Sequence, residues 1–170
     1  MESKKAFIIT PRDMFEKMKL EFNDFKNDPG SSRHATNFVL TAYHLKEWIW
    51  KAYLEQDEAL KHKISSQIQD KDSYYSFVKS ECPEIKYMRE LANNIKHFAS
   101  LKEDEIQETS SGNKTWEEMT CTWEKCHLPW GYVGLIIITK DNQWISALDT
   151  FQKVHDYWAN YFNTYLLNCP

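Results

Sequence analysis

A mostly α-helical domain is the fold this sequence predicts: four or five helices in a bundle, with a small antiparallel β-hairpin or sheet inserted before the last helix. Three observations lead there. Apolar residues recur at three- and four-residue intervals along most of the 170 residues, which is the period of a helix with one buried stripe. Only four glycines and five prolines are present, which suits long helices with few tight turns. One stretch, Tyr132 to Thr139, breaks the helical period with a β-branched and aromatic run that reads as a strand.

Taken in order, Ala6-Phe7-Ile8-Ile9 is short and β-prone. A first helix then starts at Thr10-Pro11-Arg12-Asp13, with Thr10 as cap, Pro11 at the first helical position and Asp13 near the positive end. Phe15, Met18, Phe22 and Phe25 mark its buried stripe, and Asn27 to Ser32 ends it. The second helix spans about Ser32 to Glu55, with Phe38, Ala42, Leu45, Ile49 and Ala52 on its core face. Trp48, Trp50 and Tyr53 widen that apolar coverage, which places the helix centrally in a bundle. A polar connection with some helical character runs from Gln56 to Lys71, followed by the aromatic segment Ser73 to Val78.

The next helix starts at Pro83 and buries Ile85, Met88, Ala92, Ile95 and Ala99. Residues 102–117 read as a polar loop and residues 118–145 as the β insertion. In that insertion Met119 to Glu124 alternates, Tyr132 to Thr139 is the strongest strand, and Asp141-Asn142 turns into Gln143-Trp144-Ile145. The last helix, about Ser146 to Leu167, carries Leu148, Phe151, Val154, Trp158, Phe162 and Tyr165 at helical spacing. Residues 1–170 are expected to form a single domain.

Bulk numbers narrow the function classes. The net charge is −4, so the chain lacks the basic surplus of a non-specific nucleic-acid binder, and RNA contact has to be local. The start of the chain has no signal-peptide pattern, and the longest apolar run, Gly134 to Ile138, is far too short for a bilayer. A soluble cytoplasmic protein with reduced cysteines and no membrane partner is expected. Cys121-x4-Cys126-His127 invites a metal reading. Residues five apart on a strand point to opposite faces, and no second Cys/His pair completes four ligands. No metal and no cofactor are expected. The sequence also lacks a Gly-rich phosphate loop, a nucleophile elbow, paired carboxylates at motif spacing and a zinc-protease helix.

The chemistry concentrates on the helix after Pro83. Arg89, Asn93 and His97 recur every fourth residue. Four residues advance a helix by roughly 400°, so the three side chains form one polar stripe that drifts by about 40° per step. A guanidinium offers a fork of donors to two phosphate oxygens. Imidazole moves a proton near neutral pH, and an amide orients either partner. Lys86 and Lys96 add positive charge on the same helix. His44 on the second helix has two readings: it faces that helix and hydrogen-bonds His97 or Asn93, or, the more ordinary case, it is a satisfied, partly buried histidine.

The pattern Arg89-x3-Asn93-x3-His97 resembles the signature helix of the HEPN-like superfamily (higher eukaryotes and prokaryotes nucleotide-binding domains), in the branch that places Asn four residues after Arg and His four further on. The resemblance rests on about 17 residues, Cys82 to Phe98, and extends loosely through helix order. It implies a small helical bundle acting as a metal-independent ribonuclease, or a related effector, of a bacterial toxin–antitoxin or anti-phage system. His97, Arg89 and Asn93 would be the catalytic residues, and Lys96, Lys86 and His44 would contact substrate. A homodimer, RNA and a regulatory or antitoxin protein would be the partners.

Two departures from the usual motif are present. Ala92 rather than Arg precedes Asn93, and Arg89 and His97 are eight residues apart, roughly 12 Å along the axis. Two antiparallel copies would bring Arg89 of one chain near His97 of the other. The competing readings are a non-enzymatic module for dimerisation or protein binding and a plain bundle whose stripe faces solvent. Exposed tryptophans among Trp123, Trp130 and Trp144 would favour the binding module. His34 and His62 read as surface residues, and His155 as a satisfied, partly buried one.

Overall fold

The first helix, α1 (Pro11–Asn27), begins as its sequence dictates. The Thr10 hydroxyl accepts from the Asp13 amide (3.1 Å) while Asp13 accepts from the Thr10 amide (3.0 Å). This reciprocal box satisfies two of the donors that every helix start leaves open. In the computed structural model of the chain the described residues are 10–97, 105–111, 122, 124–128, 132–167 and 169, with Lys96 and His97 described in their backbone only.

Phe15, Met18, Phe22 and Phe25 are all buried, and each such side chain contributes on the order of 1.5–3 kcal/mol. A turn at Asp28–Gly30 leads into α2 (Ser32–Ile49), capped by Ser31. Phe15 stacks on Phe162 at 4.3 Å, and Phe25 and Phe38 both meet Phe151 at under 5 Å. These rings join α1 and α2 to the last helix, α6 (Ala147–Tyr165), and make the centre of the core.

The second helix does not continue as an α-helix to Glu55. From Trp50 to Leu54 it widens into a π-helical turn, with the Glu55 amide bonding the Trp50 carbonyl at 2.8 Å. The wider turn brings Trp50 and Leu54 inward together and leaves Ala52 exposed, against the 3.6-residue expectation. The connection at 56–71 contains α3 (Glu58–Ile64), and the aromatic segment after it is α4 (Lys71–Glu81), started by a second reciprocal cap between Asp70 and Ser73. Helix α5 (Ile85–His97) buries Ile85, Met88 and Ala92 as expected. Ile95 is 40% exposed.

The described residues thus form six helices, more than the expected four or five. The β element is also larger than a hairpin. Strands β1 (Ile106–Ser111), β2 (Cys126–His127), β3 (Leu135–Thr139) and β4 (Trp144–Ser146) make one sheet in the order β1-β3-β4-β2. β3 pairs antiparallel with β1 and β4, and β2 pairs parallel with β4, so the sheet is mixed. β1 occupies part of the stretch read as a loop. The sequence conceals it because only Ile106 is buried and the rest of the strand faces solvent or is half-buried.

β3 is buried on both faces. Ile137 joins the main core, while Ile136 and Ile138 pack with Trp144 in a small second one. Asn142 (φ 61°) makes the turn between β3 and β4, a conformation asparagine tolerates better than most residues. Trp144 is therefore buried and presents no exposed patch. Ala6 to Ile9, Ala99, Cys121, Trp116, Trp123, Trp130 and most of the 119–124 strand lie outside the described residues. No helix among the described residues is long and apolar enough to cross a membrane.

Candidate functional site

Helix α5 is held from two sides. Behind it, the carboxylate of Glu90, on a residue only 8% exposed, accepts from the backbone amides of Ile106 (3.0 Å) and Glu105 (3.3 Å) at the start of β1. Lys86 adds an ion pair to Glu105 at 2.7 Å. In front of it lies α2. Tyr43 and Lys46 share a cleft with Ile85, Lys86 and Arg89, whereas Ser32, Thr36 and Val39 share another with Leu91 and Ile95. The two helices therefore run antiparallel.

Arg89 and Asn93 are both exposed, one turn apart, beside the face that buries Met88 and Ala92. His97 is the last residue of α5, two turns beyond Arg89. The backbone thus carries the polar stripe as a stripe. His44 is partly buried, as the more ordinary of its two readings has it. It lies 3.9 Å from Glu47 and meets the Tyr43 ring edge-on at 5.2 Å, so its recorded partners belong to its own helix rather than to α5. His155 stacks on Phe22 (4.6 Å) and contacts Asp156 (2.9 Å), and His62 is exposed, both as expected.

The cleft beside Arg89 is the part that the sequence did not disclose. It has a volume of about 320 Å³ and is formed by α2, α4 and α5. Lys46 from α2, Lys79 from α4, and Lys86 and Arg89 from α5 line it, with Asp72 as the one carboxylate. Lys46 is only 8% exposed. Its ammonium sits over the Tyr43 ring at 4.2 Å and the Tyr75 ring at 4.6 Å, an attraction between a cation and the negative faces of the rings.

No hydrogen-bond acceptor or carboxylate contacts the Lys46 ammonium among the described residues. Glu47, next to it in the chain, faces Lys71 (3.5 Å), Lys51 (3.6 Å) and His44 instead. Burial, reinforced by the Arg89 charge, pulls the Lys46 ammonium down to about 8 from its ordinary 10.5. Burial also holds the Tyr43 and Tyr75 hydroxyls above their ordinary range, so both remain O–H donors at neutral pH. Lys86 is different: burial disfavours its charge, but the Glu105 carboxylate more than offsets that and raises it.

The arrangement can hold an anion. Four cations line the cleft from three helices, Lys86 already paired with Glu105, and the exposed stripe adjoins them through Arg89. Sequence reasoning found Arg89 and Lys86 and missed Lys46, Tyr43, Tyr75 and Lys79. A usable signal was present, because Lys46 follows the core residue Leu45 on a helix rich in aromatic and aliphatic residues, three residues after Tyr43. A lysine at such an edge position on a buried helix needs a reason.

Elsewhere, Glu21, Asp24 and His34 hold potential metal-ligand atoms within 4.8 Å of one another. Glu21 is engaged by Lys17 (3.1 Å), and the His34 Nε2 is contacted by Arg33 (3.1 Å). His34 is partly buried rather than a surface residue. Comparison with protein-family models, curated proteins and solved structures finds no match.

Proposed function

We propose that this chain is an RNA-directed effector of the HEPN-like kind, a metal-independent endoribonuclease acting as a homodimer in bacterial toxin–antitoxin or anti-phage conflict. One observation carries the reading: Arg89, the first residue of the motif stripe, stands on the rim of a cleft whose other charges are mostly cationic. An acidic chain with no global basic surplus needs such a local site to hold RNA.

Cleavage of RNA without a metal requires few groups. His97 takes the proton from a ribose 2′-hydroxyl, and that oxygen attacks the adjacent phosphorus. The bond from phosphorus to the 5′-oxygen breaks, and the leaving oxygen takes up a proton. The products are a 2′,3′-cyclic phosphate and a 5′-hydroxyl. Arg89 offsets the charge that builds on the non-bridging oxygens, and Asn93 orients the substrate between them. Lys86 and Lys96 add positive charge along the helix. The alternative, a protein-binding module, loses one of its supports because Trp144 is buried.

The test is cleavage of a mixed RNA pool by purified protein in EDTA. The expected result is fragments with cyclic phosphate ends, abolished by His97→Ala and reduced on the order of 100-fold or more by Arg89→Gln. Cleavage that is unchanged in His97→Ala would overturn the reading.

A further inference from the structure

We infer that the cleft between α2, α4 and α5 is a binding pocket for a terminal phosphate monoester, with the Lys46 ammonium as its buried charge. The inference rests on the ribonuclease reading only for the RNA chain to which that phosphate would be attached.

Lys46 is the first reason. The Lys46 residue is only 8% exposed, and its ammonium sits over two ring faces with no acceptor or carboxylate in contact among the described residues; it has given up part of its hydration without a contacting counter-charge, which costs free energy. It lines an open volume of about 320 Å³, so an anion can reach it. The sequence does not neutralise it from within, since Glu47 is turned to Lys71, Lys51 and His44.

The second reason is the number of donor-bearing residues. Lys46, Lys79 and Arg89 line the same space from three different helices, and Tyr43, Tyr75 and Ser76 line it too. A carboxylate is planar and offers two oxygens. A phosphodiester carries one charge and offers two non-bridging oxygens, and its chain must leave on both sides. A phosphate monoester presents three oxygens, carries roughly −1.5 to −2 charge at neutral pH, and needs one exit. The forked donors of Arg89 match two of those oxygens. The single carboxylate, Asp72, sets a limit on charge without cancelling the excess.

Such a monoester has two sources, the phosphorylated end of an RNA or a small free phosphate ester. Calorimetric titrations at low salt with inorganic phosphate, uridine 3′-monophosphate and dimethyl phosphate test the pocket. A pair of fully 2′-O-methylated oligoribonucleotides, with and without a 5′-phosphate, tests the source. These oligonucleotides cannot be cleaved by 2′-hydroxyl attack, so the pocket can fail while the ribonuclease reading stands, and the reverse.

The monoesters are expected to bind one per chain and on the order of tenfold or more tighter than dimethyl phosphate. Lys46→Met, an apolar replacement of similar length, should lose that preference. The exposed Lys79→Gln, which removes a cation without touching the core, should weaken binding several-fold. Tighter binding of the phosphorylated oligonucleotide assigns an RNA end. Binding of the free monoester alone assigns a small phosphate ester. Equal binding of dimethyl phosphate and the monoesters, or monoester binding that neither variant changes, overturns the pocket.

Discussion

Lys46 is a cation on a residue almost wholly removed from solvent. Its ammonium lies between Tyr43 and Tyr75 and feels the charges of Arg89 and Lys71 against it and Glu47 for it. Its pKa falls to about 8 in the folded chain against 10.5 when unfolded. Between those values the unfolded chain holds more protons on this group than the folded one, so stability rises with pH across that window. Below about 8 both states are charged and the full penalty applies; above 10.5 it is gone. Lys46→Met removes the penalty. Urea denaturation should find the variant more stable than the parent at pH 7, by on the order of 1–3 kcal/mol, with the gap closing from pH 8 towards pH 10. A variant that is less stable at pH 7, or a gap independent of pH, would show that the ammonium is not held in this way. The buried tyrosines titrate above their ordinary value and affect both proteins alike.

At the scale of elements, the join between α5 and β1 fixes the position of the stripe. Glu90 stands beside Arg89 in sequence but points the other way, and its carboxylate takes the amides of Glu105 and Ile106. Glu90→Ala would leave those donors without their partner and should destabilise the chain by about 2–3 kcal/mol, whereas Glu90→Gln, which keeps one acceptor oxygen, should cost less. Chemical denaturation of both variants checks this, and a Glu90→Ala variant as stable as the parent would mean that the contact is dispensable. The same elements show what local sequence can disclose. α1 was legible because its cap, its proline and its phenylalanine stripe are all local signals. The end of α2 was not, because the π-helical turn at Trp50–Leu54 has a different period from the one assumed, which put Ala52 on the wrong face. β1 has almost no apolar pattern of its own and depends on β3 and Glu90, partners distant in sequence. The cleft was hidden for the same reason, since Lys46, Tyr75 and Lys79 converge only after α2, α4 and α5 have packed.

At the scale of the whole molecule, the bundle presents Arg89 and His97 about two turns apart on one helix. Roughly 12 Å along the axis is too far for both to serve one phosphate from a single chain, so the proposed ribonuclease reading requires a site shared between two chains. The measurement that tests this most directly mixes two inactive variants, Arg89→Gln and His97→Ala, after co-refolding. Each mixed dimer would hold one site with both wild-type residues. Half of the dimers are mixed and half of their sites intact, so the account predicts recovery of about a quarter of the parental RNA cleavage from two inactive preparations. A parent that cleaves RNA alongside a mixture that remains inactive would contradict it.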